Sequence, residues 1–462
     1  MAMEEMQLNA ILPELILIGG SVIGLVTGLF IPKDRQWLIA LLTAFTLALA
    51  CFFSYQDLRE PAGTVFFNTY TVDVSGRFGS ILILSAAILV IGLSYREFRQ
   101  HMRETEFYVL LLFATLGLVL LTGISDLMFL MVAYLLSSIP LYTLTAFHKN
   151  KPGTEAAMKY LLMGALLGII MLYGMALFYG AGGATTFAGI YGGLSEPVTA
   201  IASVALGMVM AGLVFKMGSV PGHFWVPDVT EGAPIPVAAY VTTVPKIAAV
   251  IITVRILTEL VPGQLIAWPL FIAILSAITM TLGNLAALWQ NSVRRLLAYS
   301  SISQVGYILM AVAVAGKTEN ATSALLFYLL AYAFMNIGAF AVIASIKKNK
   351  VLNDYSGLFK EKPLLAISLS ICLLSMVGIP PLGGFIAKLG VFSVAWDGGF
   401  AWLTVLAAVN TVISIFYYLR WLLPVYFKQP KEQSIQTFPM AMAVTYLAAL
   451  ITIALGLTGP LI

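Results

Sequence analysis

Five basic residues stand inside apolar stretches of the sequence, where a charge is costly: Lys159, Lys216, Lys246, Arg255 and Lys388. A cation at the centre of a bilayer costs about 2.5–3.5 kcal/mol on insertion scales. Because a buried ammonium loses its hydration, its charged and neutral forms approach each other in free energy, and it can gain and lose a proton near neutral pH. The chemistry that such residues could perform is proton relay.

Two of these lysines lie near the middle of an apolar run, too deep to reach the interface. Lys246 is 12 residues into the run 234–257, and Lys388 lies eight residues after Pro380 and eight before Trp396. Pro245 removes a helical hydrogen bond beside Lys246, which leaves a carbonyl free to bind an ammonium or a water. We expect Lys246 and Lys388 to be relay residues; the alternative is a structural tie of each to a carbonyl or a carboxylate.

Lys216 and His223 flank a predicted break in another apolar run. Lys216 stands five residues before Pro221, where freed carbonyls and hydrated space could reach it. An imidazole, with an ordinary pKa of about 6.5, suits proton transfer, so His223 is a further candidate. Beside Trp225 it could equally be a structural group at the membrane interface.

The other two intramembrane cations are expected to be structural. Lys159 follows Glu155 by four residues, a favourable ion pair on a helix surface. Arg255 lies near the end of its run and could extend to the interface. No Asp or Glu stands at the centre of any predicted span, so the expected path has bases without internal acids.

Composition shows which solvent surrounds these residues. Of 462 residues, 60% are hydrophobic and 10% charged, against roughly 45–50% and 25% in a soluble domain. Residues 1–10 carry two glutamates but no Lys or Arg, so the first apolar run reads as a retained helix and not as a signal peptide. Two cysteines and three scattered histidines offer neither a disulfide framework nor a metal site. The sequence predicts an all-α polytopic membrane protein.

About fourteen transmembrane helices are expected, at 9–31, 36–54, 78–95, 107–123, 127–147, 156–180, 198–227, 234–258, 266–289, 298–315, 321–345, 363–396, 400–424 and 438–461. The loops after odd-numbered spans hold 17 of the 25 Lys and Arg residues, and those after even-numbered spans hold three. Since positive residues stay on the cytoplasmic side, both termini are expected on the periplasmic or outer side.

Spans seven and twelve are too long for one straight crossing, and each contains a helix-breaking segment. The breakers are residues 218–222, GSVPG with Pro221, and residues 378–384, GIPPLGG with Pro380 and Pro381. We expect discontinuous helices there, and Pro245 is grouped with these prolines. Broken helices in corresponding halves indicate two inverted five-helix repeats, spans four to eight and nine to thirteen. A pair of simple proline kinks is the alternative.

Several long motifs then resemble the antiporter-like membrane subunits of NADH:quinone oxidoreductase (complex I) and their Mrp-antiporter relatives. These are FKMGSVPGHFWVPDVTEGAP at 215–234, RRLLAYSSI at 294–302, MNIGAF at 335–340 and GIPPLGGF at 378–385. LPE at 12–14 and DYSGL at 354–358 favour the N-type subunit. The resemblance covers essentially the whole chain and matches Lys216, Lys246 and Lys388 to the ionisable residues of spans seven, eight and twelve.

The resemblance implies four segments: a three-helix part at 1–106, a first repeat at 107–258, a second at 259–424 and a last helix at 425–462. Three positions depart from the family pattern. The glutamate usual on span five aligns with Leu135, a frequent histidine on span ten is Gln304, and Pro245 replaces a small polar residue. We expected Lys216 to face Leu135.

The resemblance implies a subunit of a translocase enzyme, without a complete active site of its own, in the cell inner (plasma) membrane. NADH, flavin, iron–sulfur clusters and quinone would be bound by partner subunits, and neither a cofactor nor a metal by this chain. The implied partners are the M-, L-, K- and J-type membrane subunits and the lipid bilayer, not nucleic acid. Two alternatives remain: a subunit of an Mrp-type cation/proton antiporter, and a structural complex I subunit whose proton path has decayed.

Overall fold

The computed structural model describes residues 8–99, 101–194, 199–261, 267–347, 350–430 and 436–459. Eighteen α-helices make up most of this part of the chain. They are α1 (Leu12–Phe30), α2 (Trp37–Gln56), α3 (Val74–Phe98), α4 (Glu104–Gly123), α5 (Leu127–Thr145), α6 (Lys151–Gly182), α7 (Phe187–Gly193), α8 (Thr199–Met217), α9 (Trp225–Gly232), α10 (Ile235–Arg255), α11 (Trp268–Leu288), α12 (Val293–Val312), α13 (Ala321–Ser345), α14 (Leu358–Glu361), α15 (Pro363–Val377), α16 (Gly383–Asp397), α17 (Ala401–Phe427) and α18 (Pro439–Thr458). A short hairpin of β1 (Gly63–Val65) and β2 (Tyr70–Val72) precedes α3.

Among the described residues, twelve helices are long and apolar enough to cross a membrane. The predicted all-α membrane fold is therefore confirmed. Two further predicted spans are not among the twelve. One corresponds to α12, whose second and third residues are Arg294 and Arg295, and the other to the pair α15 and α16, which are 15 residues each. Fourteen as the number of crossings stays a prediction.

Both predicted breaks are present, and they share a local signature. After α8 ends at Met217, Gly218 takes a left-handed φ of +69° and the Val220–Pro221 peptide is cis; after α15 ends at Val377, Gly378 has φ +92° and the Pro380–Pro381 peptide is cis. Glycine, which has no Cβ, reaches these φ values without a steric penalty. In each case a proline stands four residues after the last helical residue, so that residue's carbonyl lacks its α-helical donor. Simple kinks are excluded.

Pro245 behaves differently from the other three prolines. It lies inside α10, which continues without interruption to Arg255. Grouping Pro245 with the discontinuous-helix prolines was wrong, because its ring and missing N–H are accommodated within one continuous helix.

One compact unit contains the described residues of 1–91, 97–217 and 244–268. Within it α6 packs along α8, α4 along α5, and α1 against α2 and α4. The helices approach closely where a small residue removes the side chain between them: a Cβ on Gly174 of α6 would lie 2.7 Å from the Ala205 carbonyl oxygen of α8. Such contacts are the usual means of joining helices in lipid, where the hydrophobic effect does not drive their association.

A second unit contains the described residues of 92–96, 218–243 and 269–462. Its centre is α13, which packs against α15, α16 and α18, and α12 lies beside α9 and α13. Gly306 of α12 lies so close to α11 that a Cβ there would come within 2.4 Å of the Met280 backbone nitrogen. The four predicted segments, with boundaries at 106, 258 and 424, stay a prediction.

Contacts between loops agree with the predicted alternation of sides. Within each unit they join loops after spans of equal parity. On the even-numbered side, Asp126 meets Thr186, and Arg255 at the end of span eight meets Asp73. On the odd-numbered side, Arg103 meets Phe147 at the end of span five, Arg295 meets Asp228 and Lys428 meets Asn353. A missed or extra crossing between the members of such a pair would place them on opposite sides of the membrane.

Labelling of single cysteines tests this topology. Phe67, 98% exposed at the tip of the hairpin, lies in an even-numbered loop, and Lys350 lies in an odd-numbered one. We expect Phe67→Cys to react with an impermeant maleimide in intact cells and Lys350→Cys to react only after permeabilisation, with the parent chain as control for Cys51 and Cys372. Reaction of both from one side would disprove the alternation, and the reverse pattern would disprove the orientation.

Candidate functional site: three buried lysines

Lys216 is buried near the C-terminal end of α8 with its ammonium against α5. Its Nζ donates to Ser137 Oγ at 2.6 Å, Ser138 Oγ at 2.8 Å and the Tyr134 carbonyl at 3.3 Å. The Nζ also lies 4.3 Å from the centroid of the Tyr134 ring, a cation–π contact. Residues 134, 137 and 138 share one helical face because they are three and four positions apart. Neutral oxygens and an aromatic face therefore solvate this cation.

This geometry corrects the expectation that Lys216 faces Leu135. The Leu135 side chain is 42% exposed on the isolated chain, whereas Tyr134 is 1% exposed. One residue along a helix turns a side chain by about 100°, so Leu135 is directed away from the ammonium. Sequence alignment alone could not detect this, because the serine pair and the tyrosine only become a binding site once α5 packs against α8.

Lys246 lies in the middle of α10, 11 residues from its first residue and nine from its last, and is fully buried. Helix α10 is also the most enclosed of the candidate spans, since 94% of the residues in its apolar segment are buried. The structure therefore places Lys246 near the middle of a helix that is almost wholly enclosed by protein.

Lys388 lies in the second turn of α16, and its side chain extends back to the break that precedes this helix. Nζ donates to the Val377 carbonyl at 2.9 Å and to Thr411 Oγ1 at 3.3 Å, and lies 4.2 Å from the centroid of the Tyr307 ring. Val377 is the last residue of α15, and the residue four positions later is Pro381, which has no N–H to donate. The unwound segment thus supplies the acceptor that binds the buried ammonium.

A chain of neutral polar groups continues from Lys388 across α11, α12 and α17. Thr411 Oγ1 donates to Tyr307 OH at 3.5 Å, and Asn284 Nδ2 reaches Tyr307 OH at 3.3 Å and Asn410 Oδ1 at 3.1 Å. Tyr417 OH then donates to Asn284 Oδ1 at 3.0 Å. Hydroxyls both donate and accept, so such a row can support proton movement when waters complete it.

Gln304 occupies the position where a histidine had been expected by resemblance. It is fully buried, accepts from Tyr328 OH at 2.5 Å and donates from Nε2 to the Met376 carbonyl at 3.1 Å. The neighbouring carbonyl, that of Val377, binds Lys388. Gln304 therefore holds the end of α15 in place but cannot titrate.

A second group of polar side chains surrounds the first half of α10. Asn336 Nδ2 donates to Thr242 Oγ1 at 3.1 Å and to Thr243 Oγ1 at 2.7 Å, and Tyr332 OH donates to the Thr242 carbonyl at 2.6 Å. All of these residues are fully buried. Sequence reasoning did not assign them a role, although Asn336 lies in the MNIGAF motif.

His223 lies in the segment between α8 and α9 and is 6% exposed. Its ring centroid is 4.5 Å from that of Phe224, and Nδ1 is buried without a hydrogen-bond partner in the described part of the chain. Close by in sequence, Asp228 and Glu231 of α9 both accept from Arg295, at 2.9 and 3.1 Å. A buried imidazole beside a charged loop suits proton exchange, but the structure brings no other titratable site residue to it.

Of the two cations predicted to be structural, one prediction is confirmed in detail. Lys159 pairs with Glu155 at 2.9 Å on the exposed face of α6. Arg255, expected to extend toward the interface, is instead 3% exposed and bonds Asp73 at 2.8 Å and Glu259 at 2.9 Å. The sequence could not show that Asp73, 182 residues away, would bind it.

Comparison with known proteins identifies similar chains over nearly the full length. Residues 124–414 match the transmembrane family described as NADH:quinone oxidoreductase/Mrp antiporter. The chain is 45% identical to NADH-quinone oxidoreductase subunit N 1 of Streptomyces griseus, over 97% of this chain and 95% of the relative. It is 41% identical to subunit N of a Mycobacterium species, over 97% and 96%.

Solved structures agree with these relatives. A chain of respiratory complex I from Thermus thermophilus with bound aureothin superposes with a TM-score of 0.85 at 35% identity, covering 97% of this chain and 98% of that one. A chain of the Mrp complex from Dietzia has a TM-score of 0.87 at 20% identity, covering 98% and 95%; at that identity the likeness shows the fold alone.

Removing both hydroxyls beside Lys216 tests how its ammonium is solvated. The double variant Ser137→Ala with Ser138→Ala leaves a buried charge with one backbone acceptor and an aromatic ring. Each hydrogen bond to a charged group is worth about 1.5–3 kcal/mol, so we expect a clearly lower midpoint of thermal unfolding in detergent.

Thr143→Ala, an exposed hydroxyl on the same helix, is the matched control and should change little. Adding Lys216→Met to the double variant should recover stability, because no charge then needs acceptors. A double variant as stable as the parent would show that the serines do not solvate Lys216.

Proposed function

Because the chain belongs to the NADH:quinone oxidoreductase/Mrp antiporter membrane family, we propose that it is the N-type, proton-translocating membrane subunit of a respiratory NADH:quinone oxidoreductase. The observation that carries the proposal is the burial of three lysines: Lys216 and Lys246 in helices long and apolar enough to cross a membrane, and Lys388 in α16 directly after the second break. Subunit N relatives that align over nearly the whole chain support the choice of subunit. The chain contributes proton movement to an enzyme whose electron transfer takes place on other subunits.

The chemistry of the lysine sites supports a relay over a structural tie. In the described chain, the ammonium groups of Lys216 and Lys388 donate to hydroxyl and carbonyl oxygens and lie over tyrosine rings. These groups are neutral, so they solvate the ammonium without cancelling its charge. A proton arriving nearby then destabilises the charged form by Coulomb repulsion, and the lysine can release its own proton. A paired carboxylate would hold the proton more firmly.

Each break contributes a hydrated segment to this path. Irregular backbone at membrane depth is tolerated only where it lines protein or a water-filled cavity. The carbonyl of Val377 already binds Lys388, and the segment between α8 and α9 holds His223. We therefore assign His223 to proton exchange at the end of span seven, and the Thr411, Tyr307 and Asn284 row to passage beyond Lys388.

The setting follows from the same proposal. The positive-inside rule places both termini on the periplasmic or outer side of the cell inner (plasma) membrane. The M-, L-, K- and J-type membrane subunits would be its neighbours, and NADH, flavin, iron–sulfur clusters and quinone would be bound elsewhere in the complex. Spans four to eight and nine to thirteen would form the inverted repeats, with boundaries at 106, 258 and 424.

Substitution of the central lysines tests the relay. Lys246→Ala and Lys388→Ala should assemble into the complex but lower the ratio of protons pumped to electrons transferred, measured in reconstituted vesicles. Lys159→Ala, which removes an exposed ion pair on the same chain, is the control and should leave the ratio unchanged. Unchanged ratios in both central variants would refute the relay.

Lys216→Ala separates the proposal from the decayed-path alternative, since a lysine in a dead path can be removed without effect on pumping. A lowered ratio of protons pumped to electrons transferred therefore rejects that alternative. An unchanged ratio rejects the assignment of Lys216 to the relay. Purification of the tagged chain with its partners separates the Mrp alternative: recovery of NADH-oxidising subunits supports the proposal, and recovery of antiporter subunits alone opposes it.

A further inference from the structure

An ionic trio outside the lysine sites joins the three N-terminal helices. It consists of Glu14 in the first turn of α1, Asp57 directly after α2 and Arg77 in the first turn of α3. Glu14 is 1% exposed and Arg77 2% exposed. All three residues lie at the ends of their helices that the predicted topology places on the outer side. The lysine relay makes no use of them.

The hydrogen bonds within this trio are unequal. Glu14 Oε1 accepts from Arg77 Nη1 at 2.9 Å and from Tyr70 OH at 2.6 Å, while Glu14 Oε2 is buried without a partner in the described chain. Arg77 Nη2 donates to the Ala10 carbonyl. The same Nη2 atom lies 3.4 Å from Asp57 Oδ2. Asp57 Oδ2 is itself buried and makes no hydrogen bond with a described residue.

The charges around the trio do not balance. Two carboxylates share one guanidinium, which leaves a net charge of −1 if both acids are ionised. On the turn after Asp57, exposed Arg59 and exposed Glu60 carry opposite charges and offset each other. On the far side of the hairpin Arg255 is already bonded by Asp73 and Glu259, so that group also carries −1 and cannot compensate. A buried carboxylate without compensation is strongly disfavoured, and binding a proton is the usual outcome.

We propose that the trio is a proton-binding site, with the proton on Asp57. Glu14 receives both strong hydrogen bonds and lies closer to the guanidinium, which stabilises its charged form. Asp57 is farther from Arg77, lies beside the Glu14 charge, and has an oxygen free to carry the proton. Its side chain is 18% exposed, against 2% for Glu14, so it can take the proton from external water and return it there.

This site goes beyond the lysine relay, because it assigns chemistry to the N-terminal three-helix part of the chain. The two carboxyls share one guanidinium, so the presence of Glu14 is what leaves Asp57 without a counter-charge of its own. Removing either acid should therefore abolish the bound proton: Asp57→Asn by deleting its carrier, and Glu14→Gln by leaving Asp57 as the sole acidic partner of Arg77.

Infrared difference spectroscopy of the intact, purified complex at neutral pH tests the site. Parent minus Asp57→Asn and parent minus Glu14→Gln should each show the loss of one carboxylic-acid C=O stretch per chain, the mark of a protonated carboxyl. Glu60→Gln, which changes an exposed acid three residues after Asp57, is the control and should leave the C=O band in place. Exchange into D₂O should shift the C=O band in the parent.

Three results would overturn the proposal. Loss of only carboxylate bands in Asp57→Asn would show an ionised trio that acts as a structural ion pair. Loss of the C=O band in Glu14→Gln but not in Asp57→Asn would place the proton on Glu14. Absence of the band together with sodium-dependent thermal stability of the parent would show a metal cation in place of the proton. The spectra report occupancy directly, so they stand whether or not the central lysine variants alter pumping.

Discussion

The hydrogen bond from the Lys388 ammonium to the Val377 carbonyl joins the two features on which the second unit depends. Lipid supplies neither hydrogen-bond donors nor counter-ions, so a helix can break at membrane depth only where protein or water binds the freed groups. A lysine can be buried there only where acceptors surround it. The break at Gly378 to Leu382 leaves the Val377 carbonyl without its helical donor, and the Lys388 ammonium supplies one. That carbonyl is in turn an acceptor for the buried ammonium. Gln304, bound to the preceding carbonyl of Met376, fixes the same end of α15.

Lys216 meets the same requirement with different groups. The break that follows it resembles the other in its left-handed glycine and its cis proline four residues after the helix end. The acceptors, however, are the hydroxyls of Ser137 and Ser138 and the face of Tyr134 on α5. A glutamate would attract the ammonium by its full negative charge, whereas these hydroxyls stabilise it only by their weaker dipoles. Such an ammonium is easier to deprotonate than one in an ion pair, which suits transfer more than storage.

Charge pairs in this chain collect at helix ends. Arg255 with Asp73 and Glu259, Arg77 with Glu14, and Arg295 with Asp228 and Glu231 all lie near loops. Lys216 and Lys388 are bound by neutral groups instead. Ion pairs at the helix ends hold neighbouring helices in register, even where both partners are buried, as in Arg77 with Glu14. In the interior a similar pair would fix the proton and the helices together.

The sequence by itself determined the membrane fold, both helix breaks and the positions of Lys246 within one helix and of Lys388 after a break. These depend on local quantities: the length of apolar runs, the position of proline and glycine, and the distance from a run's end. It also determined the Lys159 pair, a contact four residues apart in one helix.

Contacts between distant helices could not be predicted from the sequence. Which face of α5 meets Lys216, and that Leu135 does not, depends on how α5 and α8 pack. That Asp73 binds Arg255, and that Asp57 and Glu14 share Arg77, depends on bringing together residues 20 to 182 positions apart. Sequence spacing carries no information about such distances, because they are set by the packing of small residues between helices and become defined only in the tertiary structure.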